Sequence, residues 1–72
     1  MFRYLPFQEI LFTNDSGEYS AFGIKVLDSE NNEVLSVPNV SPDKDFVCAL
    51  CSDCNENLLE PVHLADVIED YI

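Results

Sequence analysis

Glycine and histidine are both scarce in this 72-residue chain, which contains two glycines and one histidine. A loop that wraps a phosphate group in backbone N–H groups needs several glycines close together, so no nucleotide-binding fingerprint is present. Any catalytic triad would have to use His63, and the sequence places no nucleophile, oxyanion donors or cleft beside it. The functional alternatives are a general base oriented by Asp66 or Asp70, or a metal site formed by His63 and these two aspartates. We predict no catalytic residues and a protein that is not an enzyme.

Basic residues are few as well: Arg3, Lys25 and Lys44 are set against 14 acidic residues, and the formal net charge is −11. Such a charge repels nucleic-acid phosphates and anionic membranes, so we predict that the protein binds neither. It favours solubility and basic partners. Two interpretations stay open. The acidic surface is simply solvated, or it docks a basic protein or mimics nucleic acid to regulate a nucleic-acid-binding protein.

Long apolar runs are absent, and none approaches the ~20 residues that span a bilayer. Residues 1–12 are interrupted by Pro6, Gln8 and Glu9 and lack a small-residue cleavage site, which is not the pattern of a signal peptide. The three cysteines are an odd number crowded into residues 48–54, which does not make the disulfide framework of a secreted domain. These features predict a cytoplasmic protein.

The length predicts one domain over residues 1–72. A chain this short buries only about 60% of its unfolded surface, so its core must be thin. The hydrophobic content of 47% is typical of a sequence that folds rather than of a disordered one.

Three strands are predicted over residues 4–13, 18–28 and 33–37, joined by turns at residues 14–17 and 29–32 that are rich in Asn, Asp, Ser and Gly. Pro6 favours an edge position in the first strand, whose imperfect alternation indicates a bulge near Gln8 and Glu9. Gly23 indicates a bulge or a close packing contact in the second strand. Pro38 is expected to end the third strand.

Two helices follow. The first is predicted over residues 41–57, with Ser41 as its N-cap and Pro42 in its first position. Its apolar residues recur at helical spacing and make one buried stripe: Phe46, Val47, Leu50, Cys51 and Cys54. The second helix is predicted to run from about Pro61 or Val62 to Tyr71.

Together these elements predict an α+β fold of order βββαα. A three-stranded antiparallel meander is covered on one face by the two C-terminal helices. The predicted core consists of Phe22, Ile24, Val26, Leu35, Val37, Phe46, Leu50, Cys54, Leu64, Val67, Ile68 and Tyr71.

The pattern resembles a small bacterial family of unknown function that occurs in Gram-positive anaerobes. The resemblance covers residues 19–72 and rests on three segments: 22–24 (FGI), 40–43 (VSPD) and 63–71 (HLADVIEDY). It implies the fold and the compartment, and it carries over no activity, cofactor or catalytic residue. The three cysteines lie outside the shared pattern, which argues against a metal site common to the family.

A metal or redox site is the alternative that the cysteines suggest, with Cys48, Cys51, Cys54 and His63 as candidate ligands. On a regular helix Cys48 and Cys54 lie ~9 Å apart along the axis and ~120° apart around it, so they cannot share one tetrahedral zinc ion. Cys51 and Cys54 would still lack partners. We therefore predict no cofactor and no metal ligands, with Cys51 and Cys54 as packing residues.

Apolar side chains on both faces of the second strand predict an interaction surface. Tyr19, Ala21 and Leu27 oppose the predicted core face, and the two helices can cover only one side of the sheet. Exposed apolar patches of this kind mark interaction sites. We predict a non-enzymatic interaction or regulatory module that binds a protein partner or self-associates weakly, the latter strengthened by salt because two copies at −11 repel.

Overall fold

Three strands form one antiparallel sheet in a computed structural model that describes residues 1–15 and 17–71. The strands β1 (Arg3–Thr13), β2 (Gly17–Leu27) and β3 (Glu33–Ser41) lie in the order β1-β2-β3, so β2 is central. The predicted meander is confirmed. Ser16, which the sequence places in the first turn, lies outside the described residues.

Two helices cover one face of this sheet. Helix α1 (Lys44–Glu56) contacts all three strands, and a 3₁₀ turn (Pro61–His63) leads into α2 (Leu64–Tyr71). The fold is therefore the predicted α+β arrangement of order βββαα. Within residues 1–15 and 17–71, neither helix has the length and the apolar content needed to cross a bilayer.

The core lies between the sheet and the helices. Its buried residues are Tyr4, Ile24, Val26, Val47, Leu50, Cys51, Cys54, Leu64 and Ile68, with Phe22, Leu35, Val37, Phe46 and Val67 packed against them. All but one of the predicted core residues are in these two groups. The exception is Tyr71, which is 51% exposed because it lies at the rim of the core. Its ring packs edge-on against Phe46, with ring centroids 6.3 Å apart.

Tyr4 is the largest core residue that the sequence pattern missed. Its ring is buried, and its hydroxyl donates a hydrogen bond to the Leu59 carbonyl oxygen at 2.6 Å. Burial raises the pKa of Tyr4 to about 12, so the hydroxyl remains a donor at neutral pH. A bulky aromatic residue in the first strand thereby joins the sheet to the segment between the helices.

The third strand is longer than predicted, because Pro38 does not end it. Pro38 lies on the outer edge of the sheet, where its missing N–H costs no ladder hydrogen bond. The register between β2 and β3 shifts from the pair Ile24–Val37 to the pair Phe22–Ser41, and Asn39 takes a φ of 53° in this bulge. Asparagine tolerates that left-handed conformation.

The predicted bulge in the first strand is also wrong. β1 pairs with β2 without interruption from Arg3–Leu27 to Thr13–Gly17, and the irregularities lie between β2 and β3 instead. Gly23 lies within one of them. A Cβ atom there would be 2.5 Å from the Val37 carbonyl oxygen and 2.6 Å from the Phe7 ring, so the close contact predicted for this glycine is confirmed.

Helix α1 begins later than predicted. Asp43, not Ser41, is the N-cap: its Oδ1 accepts hydrogen bonds from the N–H groups of Asp45 at 3.0 Å and Phe46 at 3.4 Å. Ser41 still belongs to β3, and its Oγ accepts from the Asp43 N–H at 3.1 Å. Pro42 therefore precedes the helix. The predicted end is confirmed, since α1 stops at Glu56.

Candidate protein-interaction surface

The cysteines of α1 are packed against the sheet. Cys51 and Cys54 are buried and Cys48 is half-buried, as the helical stripe predicts. Burial, reinforced by the neighbouring Cys54 and Cys48, raises the pKa of Cys51 to about 12 from its ordinary value of 9.0. Burial and Asp53 also raise the pKa of Cys54. Because both pKa values are raised, Cys51 and Cys54 are thiols rather than the more nucleophilic thiolates at neutral pH.

The candidate metal ligands are not gathered at one point. His63 is exposed in the 3₁₀ turn, whereas Cys51 and Cys54 lie in the core. Across residues 1–15 and 17–71, no group of three or more His, Cys, Asp or Glu side chains is arranged to hold a metal ion.

A small cleft lies where the two helices meet. It has a volume of about 190 Å³ and is lined by Cys54, Leu59, Val67 and the carboxylates of Asp53 and Asp70. The Tyr71 hydroxyl donates to Asp53 Oδ2 across it at 3.2 Å, and this hydrogen bond raises the pKa of Tyr71. Binding sites for small molecules usually measure ~300–1,000 Å³, so this cleft is undersized for one.

The β1–β2 hairpin extends beyond the helix layer. β3 pairs with β2 only from Phe22 onward, which leaves residues 9–13 and 17–21 as a two-stranded ribbon that we call the hairpin end. Three of its large apolar side chains are exposed: Phe12 at 75%, Ile10 at 47% and Tyr19 at 37%. This extension makes the molecule 41 Å long against 25 and 19 Å in the other directions.

Apolar residues occupy both faces of the hairpin end. Strand alternation places Ile10 and Phe12 on the face that the helices cover farther down the sheet. Leu11 and its cross-strand partner Tyr19 lie on the opposite face. A two-stranded ribbon with two apolar faces has no layer of its own to bury either face.

The rest of the open sheet face is covered by the protein's own side chains, which corrects our expectation for Ala21. Glu9 is paired with Ala21, and Glu9 Oε2 accepts a hydrogen bond from the Asn39 N–H at 2.8 Å. The Glu9 side chain therefore crosses the central strand above Ala21, which is fully buried. Small residues at positions 21 and 23 make a trough that Phe7 and Glu9 fill. Leu27 is half-buried, and Tyr19 stays exposed.

Parts of the sheet's edges are blocked. On β1, the Asn55 side chain pairs with the backbone of Tyr4, accepting from its N–H at 2.8 Å and donating to its carbonyl at 3.0 Å. Pro6 then offers no N–H, and Pro38 and the bulges interrupt the edge of β3. Such devices prevent edge-to-edge pairing. Two stretches carry neither a proline nor a bulge: residues 8–12 on the outer edge of β1, and residues 17–21 of β2, which have no β3 residue opposite them.

The sequence matches one family model, the Family of unknown function (DUF6514), over residues 4–72. The chain belongs to this family. The resemblance to a family of unknown function is thereby confirmed. No curated protein and no solved structure matches the chain significantly.

Proposed function

We propose that this protein is a non-enzymatic protein-interaction or regulatory module whose contact surface is the hairpin end. The exposure of Phe12, at 75%, is the observation that carries this proposal. Burying an apolar side chain of this size against a partner contributes about 1.5–3 kcal/mol. Ile10 lies two residues from Phe12 on the same face of the ribbon, so these two exposed side chains are adjacent rather than scattered, and Tyr19 adds an exposed ring on the opposite face.

The position of this surface supports the proposal. The helices and β3 cover the other end of the sheet, so the hairpin end can be contacted without disturbing the core. The partner is a second protein or, through weak self-association, another copy of this chain. Three free cysteines favour a reducing compartment, and we propose a bacterial cytoplasmic setting.

Site-specific photocrosslinking tests the surface. A benzophenone amino acid replaces Tyr19, and this labelled protein is crosslinked to its partner in an extract of the producing cells. Proteins without the benzophenone are then added as competitors, and the loss of crosslinked adduct is measured. Wild-type protein should compete, and Phe12→Ser should compete at least tenfold less well because it removes the most exposed apolar side chain. Val62→Ser is the matched control, since Val62 is 76% exposed but lies in the 3₁₀ turn. Equal competition by all three proteins would reject the hairpin end as the contact surface.

Sedimentation velocity tests the self-association branch. Two copies, each with a net charge of −11, repel each other most strongly at low salt, so any self-association should strengthen as the salt concentration is raised. A strict monomer at high protein concentration in ~0.5 M salt would remove that branch and leave the heterologous partner.

A further inference from the structure

We infer that the free edge of β2, residues 17–21, receives a short extended segment of a positively charged protein, which adds to the sheet as a further strand. The inference rests on the proposed function and specifies the partner of the same hairpin end. Strand addition of this kind uses main-chain hydrogen bonds for affinity and alternate side chains for specificity.

Backbone geometry makes this edge available. The N–H and carbonyl of Tyr4 point away from β2, because both bind Asn55. Tyr4 pairs with Val26, whose backbone groups therefore point away from β1 and toward β3. The direction of the backbone N–H and carbonyl groups alternates from one residue to the next along an antiparallel strand. Glu18 and Ser20 are an even number of positions from Val26, so their backbone groups also point away from β1. No β3 residue is there to meet them.

The length of the edge limits the added segment. β3 already occupies the edge from Phe22 onward, so a new strand can pair only with residues 17–21. Five residues of strand span about 17 Å. The partner segment is therefore short, and its far end meets the end of β3 near Ser41.

Charge identifies the class of partner. Residues 4–24 contain Glu9, Asp15 and Glu18 and no Lys, Arg or His. Glu9 is already engaged by the Asn39 N–H, whereas Glu18 is exposed on the free edge and Asp15 is exposed in the adjoining turn. A second copy of this chain would bring the same acidic residues to the contact, whereas a segment with Lys or Arg would complement them.

The two faces of the edge predict the pattern of the segment. Glu18 and Ser20 present one face, and Tyr19 presents the other. A basic residue opposite Glu18 would be followed by an apolar residue against Tyr19. A segment of alternating basic and apolar residues therefore fits this edge. An arginine of the partner that flanks the added strand can also stack on the Tyr19 ring.

Amide hydrogen exchange on ¹⁵N-labelled protein tests the inference with a defined probe, an acetylated and amidated hexapeptide of alternating Lys and Val. At millimolar peptide the exchange of the Glu18 and Ser20 amides should slow, because both would donate to the added strand. A peptide with Glu in place of Lys should have no such effect. Glu18→Lys should weaken binding of the Lys peptide about three- to tenfold. Glu33→Lys is the matched control, because it makes the same charge change on an exposed residue at the start of β3.

Several results would overturn the inference. Unchanged exchange at Glu18 and Ser20, equal binding of the Glu peptide, or slowing at Ile10 and Phe12 on β1 instead would each reject it. Protection of the Glu18 and Ser20 amides without peptide, in a dimer seen by sedimentation, would make a second copy the occupant. If the crosslinking at Tyr19 still depends on Phe12 in any of these cases, the proposed function stands and only this inference fails.

Discussion

The two ends of the β1–β2 hairpin have the same backbone pairing and opposite surroundings. At the base, Tyr4 and Val26 are a cross-strand pair buried under the helices. At the hairpin end, the pair of Phe12 and Glu18 is exposed to solvent. Packing against a second layer, rather than the ladder of hydrogen bonds, therefore separates the structural half of the sheet from the half that is free to bind.

This difference has an energetic consequence. Side chains in the base are held in place by neighbours on several elements, so removing them leaves cavities. Side chains at the hairpin end have few neighbours in the monomer, and their replacement costs little unless a partner is bound. Stability and binding should therefore respond to substitutions at opposite ends of one hairpin.

Leu50→Ala against Phe12→Ala is the sharpest test of this difference. Leu50 is 1% exposed in the core, so its truncation should lower the free energy of unfolding by about 3 kcal/mol through cavity formation. Phe12→Ala should change it by no more than about 0.5 kcal/mol. Urea denaturation measures both, and comparable losses would show that the hairpin end is part of the cooperative core.

Gly23→Ala should cost about 2–3 kcal/mol, because the new methyl group would collide with the Val37 carbonyl and the Phe7 ring. Gly17→Ala at the hairpin end is the control. Its Cβ would meet nothing within 4 Å, so only the strain of a φ of 71° should remain, about 1 kcal/mol. Thermal unfolding of the two variants compares a packing clash with pure backbone strain, and a larger loss for Gly17→Ala would contradict this account.

Replacing Cys51 and Cys54 together with Ala should destabilise the protein by about 2 kcal/mol, because both thiols fill space in the core. Metal analysis of native and variant protein accompanies the urea measurement. Stoichiometric zinc or iron in the native protein, lost in the variant, would establish the metal alternative and refute a packing role.

Asn55→Ala should cost about 1–2 kcal/mol, since it leaves the N–H and carbonyl of Tyr4 without their partner. Glu56→Ala, next to it on α1 and also exposed, is the control and should be nearly neutral. Hydrogen exchange at the Tyr4 amide should accelerate only in the Asn55 variant. Unchanged protection there would show that Asn55 does not close this edge.

Asp43→Ala should cost about 1 kcal/mol by removing the N-cap of α1, which accepts from two backbone N–H groups. Ser41→Ala should cost less than about 0.5 kcal/mol, because Ser41 Oγ accepts one exposed hydrogen bond outside the helix. Denaturation midpoints in urea rank the two. A larger loss of stability for Ser41→Ala would indicate that Ser41, the residue predicted from the sequence, is the N-cap of α1.

Local patterns were sufficient for the order of elements and for most of the core. The alternation of Phe22, Ile24 and Val26 and the helical spacing of Phe46, Leu50 and Cys54 each mark one buried face without reference to the rest of the chain. Positions next to element ends were less predictable. Ser41 and Asp43 are both good N-cap residues two positions apart, and propensity alone does not choose between them.

Pro38 and Ala21 show what local patterns miss. Proline ends a central strand, but β3 is an edge strand and continues past it. Ala21 faces away from the helices, which predicts exposure, yet Glu9 and Asn39 cover it from the two neighbouring strands. Both outcomes depend on which strands lie side by side.

The sequence by itself determined the acidic charge, the βββαα order, the buried stripe of α1 and the apolar character of the first hairpin. Each of these is a property of neighbouring residues and their periodicity. Only the tertiary structure decided that the hairpin extends past its cover, that Asn55 closes the edge at Tyr4 and that residues 17–21 stay open. Those features join parts of the chain as far as 51 residues apart, and they follow from strand register and helix placement.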